Sequence, residues 1–139
     1  LGIPLKIYGT GTLKKPLVKS AKKNISFLGR VSDEELRNLY ANAKGYINPQ
    51  EEDFGLTMVE ALASGCPVIA YNIGGASEIV KEGVNGTFFD EQTWEALADS
   101  IIRLRKMSFT VSDIIASARK FSETAFKEQM RKIIEDSLK

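Results

Sequence analysis

Two carboxylates, Glu52 and Glu60, are the residues whose types and spacing first suggest chemistry. Glu52 belongs to an acidic run, Glu51-Glu52-Asp53, and Glu60 lies in the segment Leu56-Thr57-Met58-Val59-Glu60-Ala61-Leu62-Ala63-Ser64. Phe54 and Gly55 stand between the run and the segment. A glycine lets a ligand come close to the backbone because it has no Cβ. A helix beginning at Leu56 would present the amides near Gly55, Leu56 and Thr57 as unpaired donors at the positive end of a helix dipole, where a phosphate or an oxyanion is stabilised. Carboxylates accept hydrogen bonds well from vicinal hydroxyls, so a ribose and a hexose suit the pair. The plain alternatives are a capping acid at Glu52 and a solvent-facing helix residue at Glu60. Glu60 is nevertheless the only charge between Asp53 and Glu78. A lone carboxylate on such an apolar helix is costly unless it is paired or faces a ligand.

The elements that must position these groups are legible in the pattern. Ile3–Tyr8, Asn24–Leu28, Gly45–Asn48, Pro67–Tyr71 and Thr87–Phe89 are short apolar runs bounded by glycine, proline or asparagine, and are predicted as strands. Pro67–Tyr71 is apolar throughout, as a strand buried on both faces should be. Helices are predicted over Leu13–Lys22, with Pro16 in its first turn, over Leu56–Ser64 with Gly65 as its stop, and from Gly74-Gly75 through Glu82. Ser32-Asp33-Glu34-Glu35 is a capping box and starts a helix whose Leu36, Leu39, Tyr40 and Ala43 share a face. Gln92–Met107, Ser112–Phe121 and Glu123–Leu138 complete the chain as a helical tail. Strands alternating with helices define an α/β domain with a Rossmann-like parallel sheet. In such sheets ligands bind beyond the carboxyl ends of the strands, which directs attention to residues 9–12, 29–33, 49–55 and 72–77.

Composition bounds the rest. The chain has 139 residues, 43% hydrophobic and 27% charged, with a net charge of +1. That is a globular composition of single-domain size, and no run approaches the ~18 apolar residues of a membrane span. With no histidine, a His base, a Ser–His pair and a His metal ligand are excluded within the chain. Cys66 is the only cysteine, so neither an internal disulfide nor a cysteine zinc site can form. Charge is unevenly spread: residues 1–31 hold seven of the cations and no acid. Such a segment attracts phosphates or an acidic surface, although a solvated helix face is the simpler reading. No aromatic residues interleave with the lysines, so nucleic acid is not an expected partner.

The segment from Glu52 to Ile69 resembles the Glu-x7-Glu motif of retaining GT-B glycosyltransferases, the group-1 (GT4) family. That motif joins an acid, an aromatic-Gly-apolar turn and Glu-Ala-x-Ala-x-Gly-x-Pro-Val-Ile, here Glu52, Phe54-Gly55-Leu56 and Glu60-Ala61-Leu62-Ala63-Ser64-Gly65-Cys66-Pro67-Val68-Ile69. The likeness continues in Tyr8-Gly9-Thr10-Gly11, Phe27-Leu28-Gly29, Asn72-Ile73-Gly74-Gly75 with Glu78, and Glu82-Gly83-Val84-Asn85-Gly86. Asn48-Pro49-Gln50-Glu51-Glu52-Asp53-Phe54-Gly55 is similar to the mannosyltransferase-type branch.

The resemblance implies a sugar-transferring enzyme whose donor is a nucleotide-diphosphate sugar and which needs no divalent metal. It implies that Glu52, the catalytic candidate, contacts hydroxyls of the donor hexose. The backbone of Asp53, Phe54, Gly55 and Leu56 would contact sugar and diphosphate, and Glu60 would hold the ribose. Val31, Ser32 and Asp33 would lie beside the base, and Gly9 and Gly11 would line the cleft. It implies further that residues 1–139 form only the C-terminal, donor-binding half of a GT-B fold. The chain opens at Leu1 without a methionine. An acceptor-binding N-terminal domain, and a first strand with its Arg/Lys clamp on the diphosphate, would then precede Leu1. In the order 3-2-1-4-5-6 that strand is central, so the strands beside it would have to close a gap or keep open edges. Alone, the chain should transfer little or no sugar. A non-catalytic nucleotide-sugar-binding or regulatory module is the alternative. The parent protein is expected in the cytoplasm, with peripheral association at the inner face of the membrane as a further expectation.

Overall fold

The glycines and prolines that bound the apolar runs also bound the observed strands. A computed structural model describes residues 1–138, and the chain falls into two units, one from Leu1 to Asn38 and one from Leu39 onward.

The first unit holds β1 (Leu5–Tyr8), α1 (Lys14–Ser20), β2 (Ile25–Gly29) and the first turns of α2 (Asp33–Ala41). β1 and β2 are parallel, with Leu5 opposite Ile25 and Ile7 opposite Phe27, before a register shift sets Tyr8 against Gly29. The strand begins after Pro4, which has no N–H to donate. Asn24 Nδ2 instead reaches the Ile3 carbonyl at 2.7 Å. α1 is shorter than the Leu13–Lys22 predicted, because Ala21 is extended (ψ 140°) and ends it. The capping box forms as expected: Ser32 N–H donates to Glu35 Oε2 at 2.9 Å, and Glu35 N–H donates to Ser32 Oγ at 3.2 Å.

The second unit contains β3 (Tyr46–Asn48), α3 (Leu56–Ala63), β4 (Val68–Tyr71), α4 (Ala76–Ile79), β5 (Gly86–Phe89), α5 (Trp94–Lys106), α6 (Val111–Ala118), a 3₁₀ turn (Arg119–Phe121) and α7 (Glu123–Ser137). Its sheet is parallel, in the order β3-β4-β5. Central β4 is covered on both faces, with Val68 and Ala70 wholly buried and Ile69 at 2% exposure. On one face Ile69 and Phe89 meet Leu104 of α5. Elsewhere α3 packs on α6 and buries Met58, Leu62 and Ile114. Each such side chain contributes roughly 1.5–3 kcal/mol through burial.

The strands form two sheets, β1-β2 and β3-β4-β5, the second of the two outcomes expected above: β1 pairs only with β2 and β3 only with β4. Two expectations are corrected. α4 stops at Ile79, well before Glu82. Asn85, fully buried, diverts the chain there: its Oδ1 accepts from Lys81 N–H at 2.6 Å, while its Nδ2 donates to the Ile79 carbonyl and to Ser117 Oγ. Ala43 lies beyond the end of α2 and is exposed, so it does not share the helix face with Tyr40.

Candidate functional site

The acidic loop leaves the carboxyl end of β3 and enters α3 through Gly55, whose φ is +87°. Only glycine takes this conformation without strain. Space demands it as well, since a Cβ would sit 2.3 Å from Met58 Cε and 3.0 Å from Ile79 Cδ1. The first helical bond runs from Met58 N–H to the Gly55 carbonyl at 3.0 Å, so the Leu56 and Thr57 amides lie ahead of it at the helix N-terminus. Tyr46 Oη donates to Thr57 Oγ1 at 3.0 Å and ties that end to β3. The other end closes on Gly65 (φ +79°): Cys66 N–H reaches the Ala61 carbonyl and Gly65 N–H the Leu62 carbonyl, both at 2.9 Å. This double bond pattern is the Schellman stop that the glycine predicted.

The loop is braced by the turn Gly74-Gly75. Gly75 N–H donates to the Glu52 carbonyl at 2.7 Å, and Glu52 and Gly74 form an isolated parallel bridge. A Cβ on Gly74 would fall 2.5 Å from the Glu52 carbonyl oxygen, and one on Gly75 2.4 Å from that of Asp53. Backbone therefore packs on backbone, which no side chain permits. Two further bonds join the strand ends: Gln92 Nε2 to the Pro49 carbonyl at 3.0 Å, and Asn72 Nδ2 to Asp90 Oδ1 at 2.8 Å.

On this frame Glu52 is half-buried, and its carboxylate accepts a hydrogen bond from Gln50 Nε2. Asp53, Phe54 and Leu56 are exposed and Gly55 is buried. Glu60 is exposed on the same row of α3 as Leu56, opposite buried Met58 and Leu62. The supposed cost of a carboxylate on an apolar helix therefore does not arise, because water reaches it. The open row of α3 and the helix N-terminus leave Glu60 and the leading amides free to meet a ligand.

The remaining candidates belong to the first unit, at the carboxyl ends of its strands. Gly9 (φ +98°) and Gly11 follow β1, with open space where a Cβ would stand on either. Val31 and Ser32 lie between β2 and α2, and Asp33 is the first residue of α2. Gly9 N–H donates to the Gly29 carbonyl at 2.7 Å and brings these two loops together.

Sequence reasoning missed Gln50 and the 3₁₀ turn. Phe121 meets Phe54 edge to face, with ring centroids 6.0 Å apart, and Lys120 donates to the Glu78 carbonyl at the end of α4 at 2.7 Å. Lys120 Nζ also lies 4.7 Å from the Phe121 ring centroid. The turn thus supports both the acidic loop and α4. No local signal links residues so far apart in sequence. Two surface depressions are not lined by acidic-loop residues. One, of about 600 Å³, runs along α7 beside Phe126, Met130 and Ile134, and one, of about 210 Å³, lies beside Asp99 and Arg103. Burial pushes the Cys66 thiol up to about 12, against a smaller lowering by the hydrogen bond from the Tyr46 backbone, so it is no nucleophile at neutral pH.

Parallel strands whose carboxyl-end loops carry an acidic turn and a glycine-led helix define a Rossmann-like domain. More particularly, the chain belongs to the glycosyl transferases group 1 family, whose model matches residues 2–128. It is 33% identical over 128 residues to a poly(glycerol-phosphate) alpha-glucosyltransferase of Bacillus subtilis, covering 88% of this chain and 18% of that protein. It is 34% identical over 122 residues to a D-inositol 3-phosphate glycosyltransferase of Corynebacterium glutamicum, covering 84% of this chain and 29% of the relative. The chain therefore spans less than a third of the length of these curated relatives. Among solved structures, a lipopolysaccharide outer core galactosyltransferase, WaaB, superposes with a TM-score of 0.83 at 17% identity over 96% of this chain and 41% of its own. Anabaena HepE, solved with UDP and glucose, gives 0.76 at 24% identity over 95% of this chain and 40% of its own. These are GT-B glycosyltransferase folds, and the α/β expectation with a helical tail holds.

Proposed function

We propose that this chain is the nucleotide-diphosphate-sugar-binding part of a retaining glycosyltransferase that moves a hexose to an acceptor hydroxyl without a divalent metal. The observation that carries the reading is the braced loop from Glu52 to Leu56 entering α3, in a chain whose family match runs from residue 2 to residue 128. Glu52 accepts hydrogen bonds from the sugar hydroxyls, Glu60 from the ribose hydroxyls. The Leu56 and Thr57 amides and the α3 dipole stabilise the diphosphate as it leaves. The acceptor oxygen bonds to the anomeric carbon as the bond from that carbon to the diphosphate breaks, and the acceptor proton passes to the departing phosphate. Within the first unit, Val31, Ser32 and Asp33 are assigned to the base, and Gly9 and Gly11 stand on the neighbouring loop. Likeness of the Asn48-Pro49-Gln50-Glu51-Glu52-Asp53-Phe54-Gly55 run to mannosyltransferases favours mannose, whereas the HepE complex with UDP and glucose supports a UDP-hexose.

Titration calorimetry of the chain with UDP-glucose and with GDP-mannose separates these donors. Glu52→Ala and Glu60→Ala are each expected to weaken the preferred donor by about tenfold or more, the scale of a hydrogen bond to a charged group. Unchanged affinity in both variants would refute the carboxylate assignment. Glu60→Ala is expected to leave stability intact, because Glu60 is exposed and alanine favours a helix. The chain alone is expected to show no sugar transfer, and robust turnover would overturn the partial-enzyme reading.

A further inference from the structure

The acidic run Glu51-Glu52-Asp53 has no cation at ion-pair distance among the described residues. Of its three carboxylates only that of Glu52 belongs to a half-buried residue, and it is the one that Gln50 meets, Nε2 donating to Oε1. The backbone on either side of this pair is pinned. The Pro49 carbonyl accepts from Gln92 Nε2 at 3.0 Å, and the proline ring fixes φ just before Gln50. The Glu52 carbonyl accepts from Gly75 N–H at 2.7 Å. Ahead of both, Asn48 is buried, with Nδ2 3.6 Å from Met58 Sδ. With the main chain held at residues 49 and 52, what stays free in Glu52 is its side chain. A ligand that used the carboxylate would have to freeze those rotamers on binding, and a protein donor that freezes them beforehand lowers that cost. Gln50 occupies Oε1 and leaves Oε2 without a protein donor among the described residues, open to hydroxyls. Gln50 is itself exposed, so it fills no core space, and what it offers the loop is its amide.

We propose that Gln50 is a positioning residue: its amide holds the Glu52 carboxylate in the orientation that meets the hydroxyls of the donor sugar. The inference rests on the role proposed above for Glu52. Gln50 acts only through Glu52, so its effect is confined to ligands that carry the sugar, and a bare nucleoside diphosphate does not sense it.

The test is titration calorimetry of the 139-residue chain with whichever of UDP-glucose and GDP-mannose binds more tightly, and with the matching UDP or GDP. Gln50→Ala and Gln50→Met, the second keeping the length of the side chain without its donor, should each weaken the sugar donor about fivefold, the scale of one net hydrogen bond, and leave the bare nucleotide within about twofold. Added to Glu52→Ala, Gln50→Ala should cost nothing more, because no carboxylate remains to orient. The pair is also read without ligand: in a proton–nitrogen NMR spectrum of the free chain, the Gln50 side-chain amide should stand apart from solvated glutamines and move to their position in Glu52→Ala. Equal losses for sugar donor and bare nucleotide, full affinity in either Gln50 variant, additive losses in the double variant, or a Gln50 amide indifferent to Glu52 would each overturn the proposal and leave the role of Glu52 standing. Unchanged sugar-donor affinity in Glu52→Ala would instead overturn that role, and the role of Gln50 with it.

Discussion

The two units are built from the same strand–helix alternation, yet they bury very different amounts of themselves. In residues 1–38 only Gly29 is fully buried, and α1 buries nothing. From Leu39 onward, β4 is sealed on both faces, α3 and α6 interlock, and Asn85 joins three segments by side-chain bonds. The candidate residues divide along the same line. Glu52, Asp53, Phe54, Gly55, Leu56 and Glu60 stand on the densely packed unit, while Gly9, Gly11, Val31, Ser32 and Asp33 stand on the sparse one. A site that must hold a leaving diphosphate gains from rigidity, since preorganised donors need no rearrangement as charge develops. The sparse unit offers accessible surface instead.

The largest test of this contrast is a matched pair of truncations. Leu62→Ala removes a wholly buried side chain and is expected to cost about 3 kcal/mol, whereas Leu17→Ala, at half exposure, should cost under ~0.5 kcal/mol. Urea melts of both variants check it, and equal losses would erase the distinction. Next in size is Gly75→Ala. Its Cβ would fall 2.4 Å from the Asp53 carbonyl oxygen, so a loss of about 2 kcal/mol is expected, together with weaker donor binding in calorimetry. A variant with native stability and native affinity would show that the brace is dispensable. At neutral pH the smallest effect is at Cys66. Its thiol is raised from 9.0 to about 12 in the fold, so the folded state holds its proton more tightly than the unfolded chain. Stability from this group is therefore full below pH 9 and declines as pH rises toward 12. Correspondingly, Ellman's reagent at pH 8 should label Cys66 only as fast as the chain opens, and immediate labelling would show that the dense unit is not closed there.

What was legible in the sequence is local. The apolar run of β4, the Gly65 stop, the Ser32–Glu35 box and the Gly55 turn each depend on residues within a few positions, and each stands where its spacing put it. Glu60 was located correctly on a helix, but its exposure depends on which row of α3 packs against α6, a tertiary matter. The early end of α4 and the Phe54–Phe121 contact are likewise set by distant partners. Asn85 shows the mechanism well: a buried amide satisfying a backbone N–H four residues before it, a carbonyl six before it and a serine 32 after it leaves no periodic trace.

The contact of Gly74 and Gly75 with the carbonyls of Glu52 and Asp53 has a consequence for how such a site diversifies. The loop is held by main-chain atoms, which every residue possesses. Side chains at Asp53 and Leu56, both exposed, carry little of that support and can be exchanged while the loop keeps its course. The scaffold therefore separates the task of holding the loop from that of lining it. Two glycines hold the shape, and the side chains beside them face solvent.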